Sequence, residues 1–198
     1  MNMIYSEYDY VDPNTFFEET VIISHVKSRE NNINKKFLSL YVDDRASNIN
    51  DENWIKDETR IVIFSDLGMP PKFSPQVWKI IFYQQTSSGT REYIIVNVYS
   101  GKLLSINSLS QNDGMVAIQY RKQINFREIA SFQRWTFEGF CLRDNSSVFL
   151  IKNVNSGKYL GTQSRFTLDN TDCIQFSDQT SLDNYQFWKF LYPQFDTP

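Results

Sequence analysis

The chain has 198 residues, of which 41% are hydrophobic and 16% aromatic, and its formal net charge is -3. That apolar content is enough for a packed core and excludes wholesale disorder. A nearly neutral body is a poor match for a phosphate backbone, so no nucleic-acid partner is expected.

Residues 1–20 carry Glu7, Asp9, Asp12, Glu18 and Glu19 without a Lys or Arg, beside Tyr5, Tyr8, Tyr10, Phe16 and Phe17. They read as an acidic, aromatic N-terminal arm that either packs along the body or drives a homo-oligomer. The start lacks the basic region and apolar stretch of a secretory signal. No apolar run approaches the roughly 20 residues of a membrane span. The expectation is a cytoplasmic or intracellularly stored protein with no membrane span.

Val21 to Val26 reads as a first strand, and Arg29 to Asn34 as a polar loop. Trp54 lies in a charged stretch, Asp51 to Arg60, and reads as a lid over the body. Arg60 to Phe64 supplies another strand and ends near Gln76-Val77-Trp78. That triplet recurs as Gln133-Arg134-Trp135 and Gln186-Phe187-Trp188, at spacings of 57 and 53 residues. An octet has the same period: Asn97-Val98-Tyr99-Ser100-Gly101-Lys102-Leu103-Leu104 returns 56 residues later as Asn153-Val154-Asn155-Ser156-Gly157-Lys158-Tyr159-Leu160. Such a period marks an internal repeat. The first copy is degraded, with Lys36-Phe37-Leu38-Ser39 standing against Lys102-Leu103-Leu104-Ser105.

Polar and apolar residues alternate after each Trp, as in a half-buried strand. Val96 aligns with Lys152, which makes that parity the outer one; Tyr93, Ile95, Phe149 and Ile151 then point inward. Gly101 and Gly157 are available for positive φ in the turns that follow. Val116 to Tyr120 and Cys173 to Phe176 complete about four strands per copy, and Arg127 to Phe132 reads as one helical turn. Four strands taken three times suggest a closed barrel with a hairpin cap, which leaves no sheet edge. The three Trp residues belong to its core, and each Gln satisfies buried backbone groups. Cys141 and Cys173, the only cysteines, read as buried thiols rather than a disulfide framework. The domain layout is an arm over 1–20 and one domain over 21–198, with repeats at about 21–78, 79–135 and 136–192.

An enzyme is not expected. His25 is the sole histidine and lies on a strand, neither Cys sits in a nucleophile motif, and seven glycines form no phosphate loop. No cofactor or metal is expected either.

Gln-x-Trp closing three repeats, with Tyr-x-Ile-x-Asn and Ser-Gly-Lys-x-Leu between, resembles the ricin-B-type β-trefoil family over about residues 20–192. The stretch from Trp135 to Gly161 looks most like fungal intracellular lectins and the trefoil domains of bacterial insecticidal toxins. The resemblance implies an all-β trefoil fold and carbohydrate binding, with a defensive or toxin-associated role. Galactose-binding members place an Asp after the leucine of Gly-Lys-x-Leu; here Ser39, Ser105 and Gly161 stand there. The Asn that precedes the family's Gln is replaced by Pro75, Phe132 and Tyr185. Losing a charge-assisted bond in every copy argues against simple galactose recognition.

The family's aromatic platform falls on Phe64, Tyr120 and Phe176. Phe64 and Phe176 read first as core rings, whereas Tyr120 has the polar handle that suits a half-wet site. Tyr120 and Phe176 are the candidate stacking rings. Asn112, Asp113, Asp169, Asn170 and Asn184, in turns near the rings, are candidate hydroxyl-bonding groups. Asp66 and Asp178 read as turn caps that also offer an acceptor. Glycans or glycoproteins are the expected partners. The alternative is a protein-binding trefoil, a protease inhibitor or insecticidal toxin component, that presents Arg29–Asn34, Ala46–Arg60, Gly68–Pro75 or Gln84–Arg91 to a protein target.

Overall fold

The chain is seen as a computed structural model that describes residues 18–26, 35–41, 55–69, 71–107, 109–125, 128–141, 147–163, 168–177 and 186–193. In chain order the strands are β1 (Glu18–His25), β2 (Lys36–Leu40), β3 (Ile61–Ser65), β4 (Val77–Gln85), β5 (Arg91–Asn97), β6 (Leu103–Ile106) and β7 (Met115–Tyr120). They continue as β8 (Ile124–Asn125), β9 (Glu128–Ile129), β10 (Trp135–Cys141), β11 (Ser147–Asn153), β12 (Tyr159–Thr162), β13 (Thr171–Phe176) and β14 (Trp188–Leu191). Two short 3-10 turns, Pro71–Phe73 and Ser131–Gln133, precede β4 and β10.

Six strands close a ring: β1 pairs with β4, β4 with β5, β5 with β10, β10 with β11, β11 with β14, and β14 with β1. The hairpins β2–β3, β6–β7 and β12–β13 cap one end. They join each other through β13–β3, β13–β7 and the Arg60–Ile118 bridge. Each hairpin is sewn to the barrel at one pair: Ser24 with Phe37, Val96 with Leu103, and Lys152 with Tyr159. The closed barrel with a hairpin cap expected from the repeats is the observed architecture.

The repeated triplets explain why it closes. Trp78, Trp135 and Trp188 are fully buried. Their Nε1 atoms donate to the carbonyls of Leu38, Leu104 and Leu160 at 2.9, 3.0 and 2.9 Å. Each indole therefore ties a barrel strand to the cap hairpin of its own repeat. The glutamines tie down the segment after the hairpin. Gln133 Nε2 donates to Arg121 O at 2.9 Å while its Oε1 accepts from Gln123 N at 2.7 Å. Gln76 bonds Ser65 O at 2.8 Å and Leu67 N at 3.1 Å in the same way. A carboxamide supplies the donor and the acceptor together, which no carboxylate does.

The expected parity holds at Tyr93, Ile95, Phe149 and Ile151, all buried in one cluster with the tryptophans. The outer parity is only half-exposed at Val96 and Lys152, because the cap hairpins run alongside. Gly101 and Gly157 have φ of 69° and 67°, the left-handed turn expected of them. Asn97, the first residue of the octet, organises its turn: Oδ1 accepts from Tyr99 N and Ser100 N, each at 3.1 Å.

Some boundaries differ from the sequence reading. β1 begins at Glu18 rather than Val21, because Glu18 to Val21 pair with β4 and Glu18 forms an ion pair with Lys79. The helical turn lies at Ser131–Gln133, later than expected. Ile129 instead pairs with Ile124 and donates its N–H to Tyr83 Oη at 3.0 Å. Cys173 is a buried free thiol, its pKa raised by burial and by the charge of Asp172. Residues 1–17, the loop 29–34, Trp54 and the Cys141 side chain lie outside the described parts.

Replacing Gln133 with Ala removes the partner of two part-buried backbone groups, Gln123 N–H and Arg121 C=O, and of the buried Ser105 hydroxyl. The expected loss in urea unfolding is about 2–4 kcal/mol, against under about 0.5 kcal/mol for Gln111→Ala on the exposed surface.

Candidate functional site

The candidate surface lies where the cap hairpins meet. A short turn enters the last strand of each hairpin: Asp57-Glu58, Asp113-Gly114 and Asp169-Asn170, spaced by 56 residues. Glu58, Gly114 and Asn170 have φ of 66°, 81° and 63°. Two of the three are not glycine, so the left-handed turn is imposed on ordinary side chains by its surroundings. Those surroundings come from the neighbouring repeat. Glu58 N donates to Gln119 O, Gly114 N to Gln175 O, and Asn170 N to Ile63 O.

Each Asp then receives a lysine from that neighbour. Lys102, Lys158 and Lys36 reach Asp57, Asp113 and Asp169, each with Nζ 2.6 Å from an Oδ1. The same oxygens accept backbone N–H groups from Arg121 (2.9 Å), Ser177 (2.8 Å) and Ser65 (2.6 Å). Lys158 Nζ and the Ser177 N–H hold the Asp113 carboxyl below the usual carboxylate range, against a smaller opposing effect of burial. At Asp57 burial is the largest single effect and pushes upward; Lys102 and the Arg121 N–H together outweigh it and leave the carboxyl lowered.

This clamp decides which candidate residues meet. Tyr120 and Phe176 end β7 and β13, Phe64 is the last residue but one of β3, and all three are half-buried. Asn112 and Asp113 are close to Tyr120 in sequence, but the clamp places them beside Phe176: Asp113 bonds Ser177, and Asn112 O accepts from Gln175 Nε2 at 2.9 Å. Asp169 and Asn170 stand beside Phe64 through Ser65 and Ile63. The turn that reaches Tyr120 carries Asp57, a residue that sequence reasoning passed over. Its signal was the common spacing of 56 residues with Asp113 and Asp169. Asp66 Oδ1 caps its own turn by accepting Gly68 N at 2.8 Å. Asp178 and Asn184 lie outside the described residues.

The positions where the resemblance places a sugar-holding Asp are interior. Ser39, Ser105 and Gly161 are buried. The Ser105 hydroxyl donates to Leu103 O at 3.0 Å and accepts from Gln133 Nε2 at 3.1 Å. Those two bonds occupy it within the protein. His25 is also buried, edge-on to Trp188 with ring centroids 5.2 Å apart. Among the described residues no group of three or more His, Cys, Asp or Glu could hold a metal ion. Nor, among them, is any helix long and apolar enough to cross a membrane.

No family model and no curated protein matches the chain. Solved structures do. A designed three-fold symmetric protein, ThreeFoil, superposes with a TM-score of 0.61 at 22% identity, covering 87% of this chain and 97% of that one. The Rhizoctonia solani agglutinin gives 0.59 at 15% identity, over 91% and 99%. The Macrolepiota procera ricin B-like lectin, solved in complex with lactose, gives 0.56 at 14% identity, over 88% and 96%. The chain has the β-trefoil fold of these ricin B-like and designed neighbours.

Acid tests the clamp. Carboxyls lowered in the folded state contribute stability above the unfolded carboxylate pKa near 4, and that stability is lost as pH falls through their folded values. Thermal melts are expected to show Tm dropping below about pH 4. Asp113→Asn should lower Tm at pH 7 and flatten the acid-induced drop.

Proposed function

We propose that this chain is a carbohydrate-binding module that works through platforms at the ends of β3, β7 and β13 rather than through the galactose pocket of the ricin-B-type family. One observation carries the reading. Phe176 is half-buried and lies between Gln175 and Ser177, which hydrogen-bond a turn from another repeat whose Asn112 is exposed and whose Asp113 side chain is 57% exposed. A flat ring suits the apolar face of a pyranose, while the amide and carboxylate offer a donor and acceptors to its hydroxyls. Asp178 and Asn184 are proposed as further contacts on this platform, Tyr120 as the ring of a second, and Asn170 as a polar group beside the Phe64 ring. The lectin neighbours support the reading through the shared fold. Each platform is shallow, so affinity rests on several sites acting together.

A second reading, a protein-binding trefoil, draws on the exposed Phe73 ring in the Gly68–Pro75 loop, with Lys72 Nζ 4.8 Å from its centroid. Inhibition of a papain-like or trypsin-like protease that is lost in Phe73→Ala would favour it.

A glycan array read with a multivalent form of the protein tests the main reading. Binding to at least one glycan class is expected. Asn112→Ala, an exposed change that spares the core, should weaken it about tenfold, a change of about 1.4 kcal/mol. An array blank at high multivalent display refutes the proposal.

A further inference from the structure

The three platforms share a backbone and differ in charge. The residues after the rings are Ser65-Asp66, Arg121-Lys122 and Ser177-Asp178. In the first and third copies the serine is absorbed by the clamp. Ser65 Oγ accepts from Lys36 Nζ at 2.7 Å and lies 3.0 Å from Asp169 Oδ1. Ser177 Oγ does the same with Lys158 at 2.7 Å and Asp113 at 3.1 Å.

In the second copy the clamp needs only the backbone N–H of Arg121. Asp57 is already paired with Lys102 at 2.6 Å, and the Arg121 Nε lies farther off, 3.7 Å from Oδ2. The Arg121 side chain is 69% exposed, with its guanidinium carbon 5.9 Å from the Tyr120 ring centroid. Lys122 beside it is exposed as well. Lys102 and Asp57 neutralise each other in the clamp, which leaves Arg121 and Lys122 as two adjacent exposed cations after the ring. By sequence, the matching positions of the other two copies carry serine and aspartate instead.

We infer that the Tyr120 platform binds sugars that carry an anionic substituent, a carboxylate or a sulfate, with the sugar on the Tyr120 ring and the anion on Arg121 and Lys122. This rests on the carbohydrate-binding reading and narrows it to one platform and one ligand class. A guanidinium presents paired donors that match the two oxygens of a carboxylate or sulfate, and an exposed lysine adds a second charge. The combination of ring and paired cations belongs to this platform alone: Phe64 and Phe176 are followed by Ser-Asp. Exposure of both cations means that the contribution is screened by salt.

The experiment is calorimetric titration with three oligosaccharides of one backbone: neutral, carboxylated and sulfated. It compares the native chain with Arg121→Ser/Lys122→Asp, which installs the residues of the other two copies and keeps the clamp's backbone N–H. A poly-glutamate peptide of equal charge is the control. The native chain is expected to bind one or both anionic sugars at least tenfold tighter than the neutral one. The comparison of the two arms shows which anion is preferred. The double variant should lose that preference while keeping its affinity for the neutral sugar, and raised salt should shrink the preference in the native chain only. A preference that survives in the variant overturns the inference, as does equal binding of poly-glutamate or of the neutral sugar by the native chain. In the last case the carbohydrate reading stands; if no sugar of any kind binds, both fall together.

Discussion

Three indole N–H groups buried in one core set the terms for the rest of this molecule. Each must find an acceptor away from water, and each finds the carbonyl of a leucine in a cap hairpin: Leu38, Leu104 and Leu160. A barrel strand is thereby fixed to a hairpin in every repeat. Gln133 and Gln76, two residues before their tryptophans, fix the segment that leaves each hairpin by accepting one N–H and donating to one carbonyl. Left unpaired, such buried groups cost about 1–3 kcal/mol each. That asymmetry explains why Gln and Trp persist in all three copies although much of the surrounding sequence has changed.

Around this lock the repeats hold one another. The hairpin tip of each repeat offers an aspartate to the lysine of the next, in the cycle Asp57–Lys102, Asp113–Lys158 and Asp169–Lys36. The residue that follows each ring needs only its backbone N–H for this contact. Its side chain is free to differ, and the three copies have used that freedom differently: Ser65 and Ser177 hydrogen-bond within the clamp, whereas Arg121 is largely exposed and reaches Asp57 only at 3.7 Å. A structural symmetry thus coexists with a chemical asymmetry on the same surface.

The frame was legible in the sequence because it rests on local periodicities. Alternation after each Trp gave the parity of Tyr93, Ile95, Phe149 and Ile151, and the octet gave the glycine turns at Gly101 and Gly157. The grouping of polar residues around the rings was not legible. Asp113 lies seven residues before Tyr120 in the chain, yet its carboxylate bonds Ser177, 64 residues away. The sequence shows Asp113 in a turn near the rings; the fold brings it to the end of β13, because a hairpin tip contacts the neighbouring repeat rather than its own strand end. That Ser39, Ser105 and Gly161 stand where the resemblance puts an Asp was visible in the sequence. Only the packing reveals that these positions are interior, with the Ser105 hydroxyl bonded to Gln133. The start of β1 was hidden for another reason: Glu18 and Glu19 look like part of an acidic arm until Lys79 stands opposite.

The proposal places ligand recognition on the rim platforms rather than at the interior positions of Ser39, Ser105 and Gly161. Amide chemical-shift mapping during titration with an anionic oligosaccharide tests it most directly. The account predicts that the perturbed amides cluster at residues 56–58 and 120–123, with a second, weaker group at 112–113 and 176–177. Perturbation centred on Ser39, Ser105 or Gly161, with the rim unchanged, would contradict it.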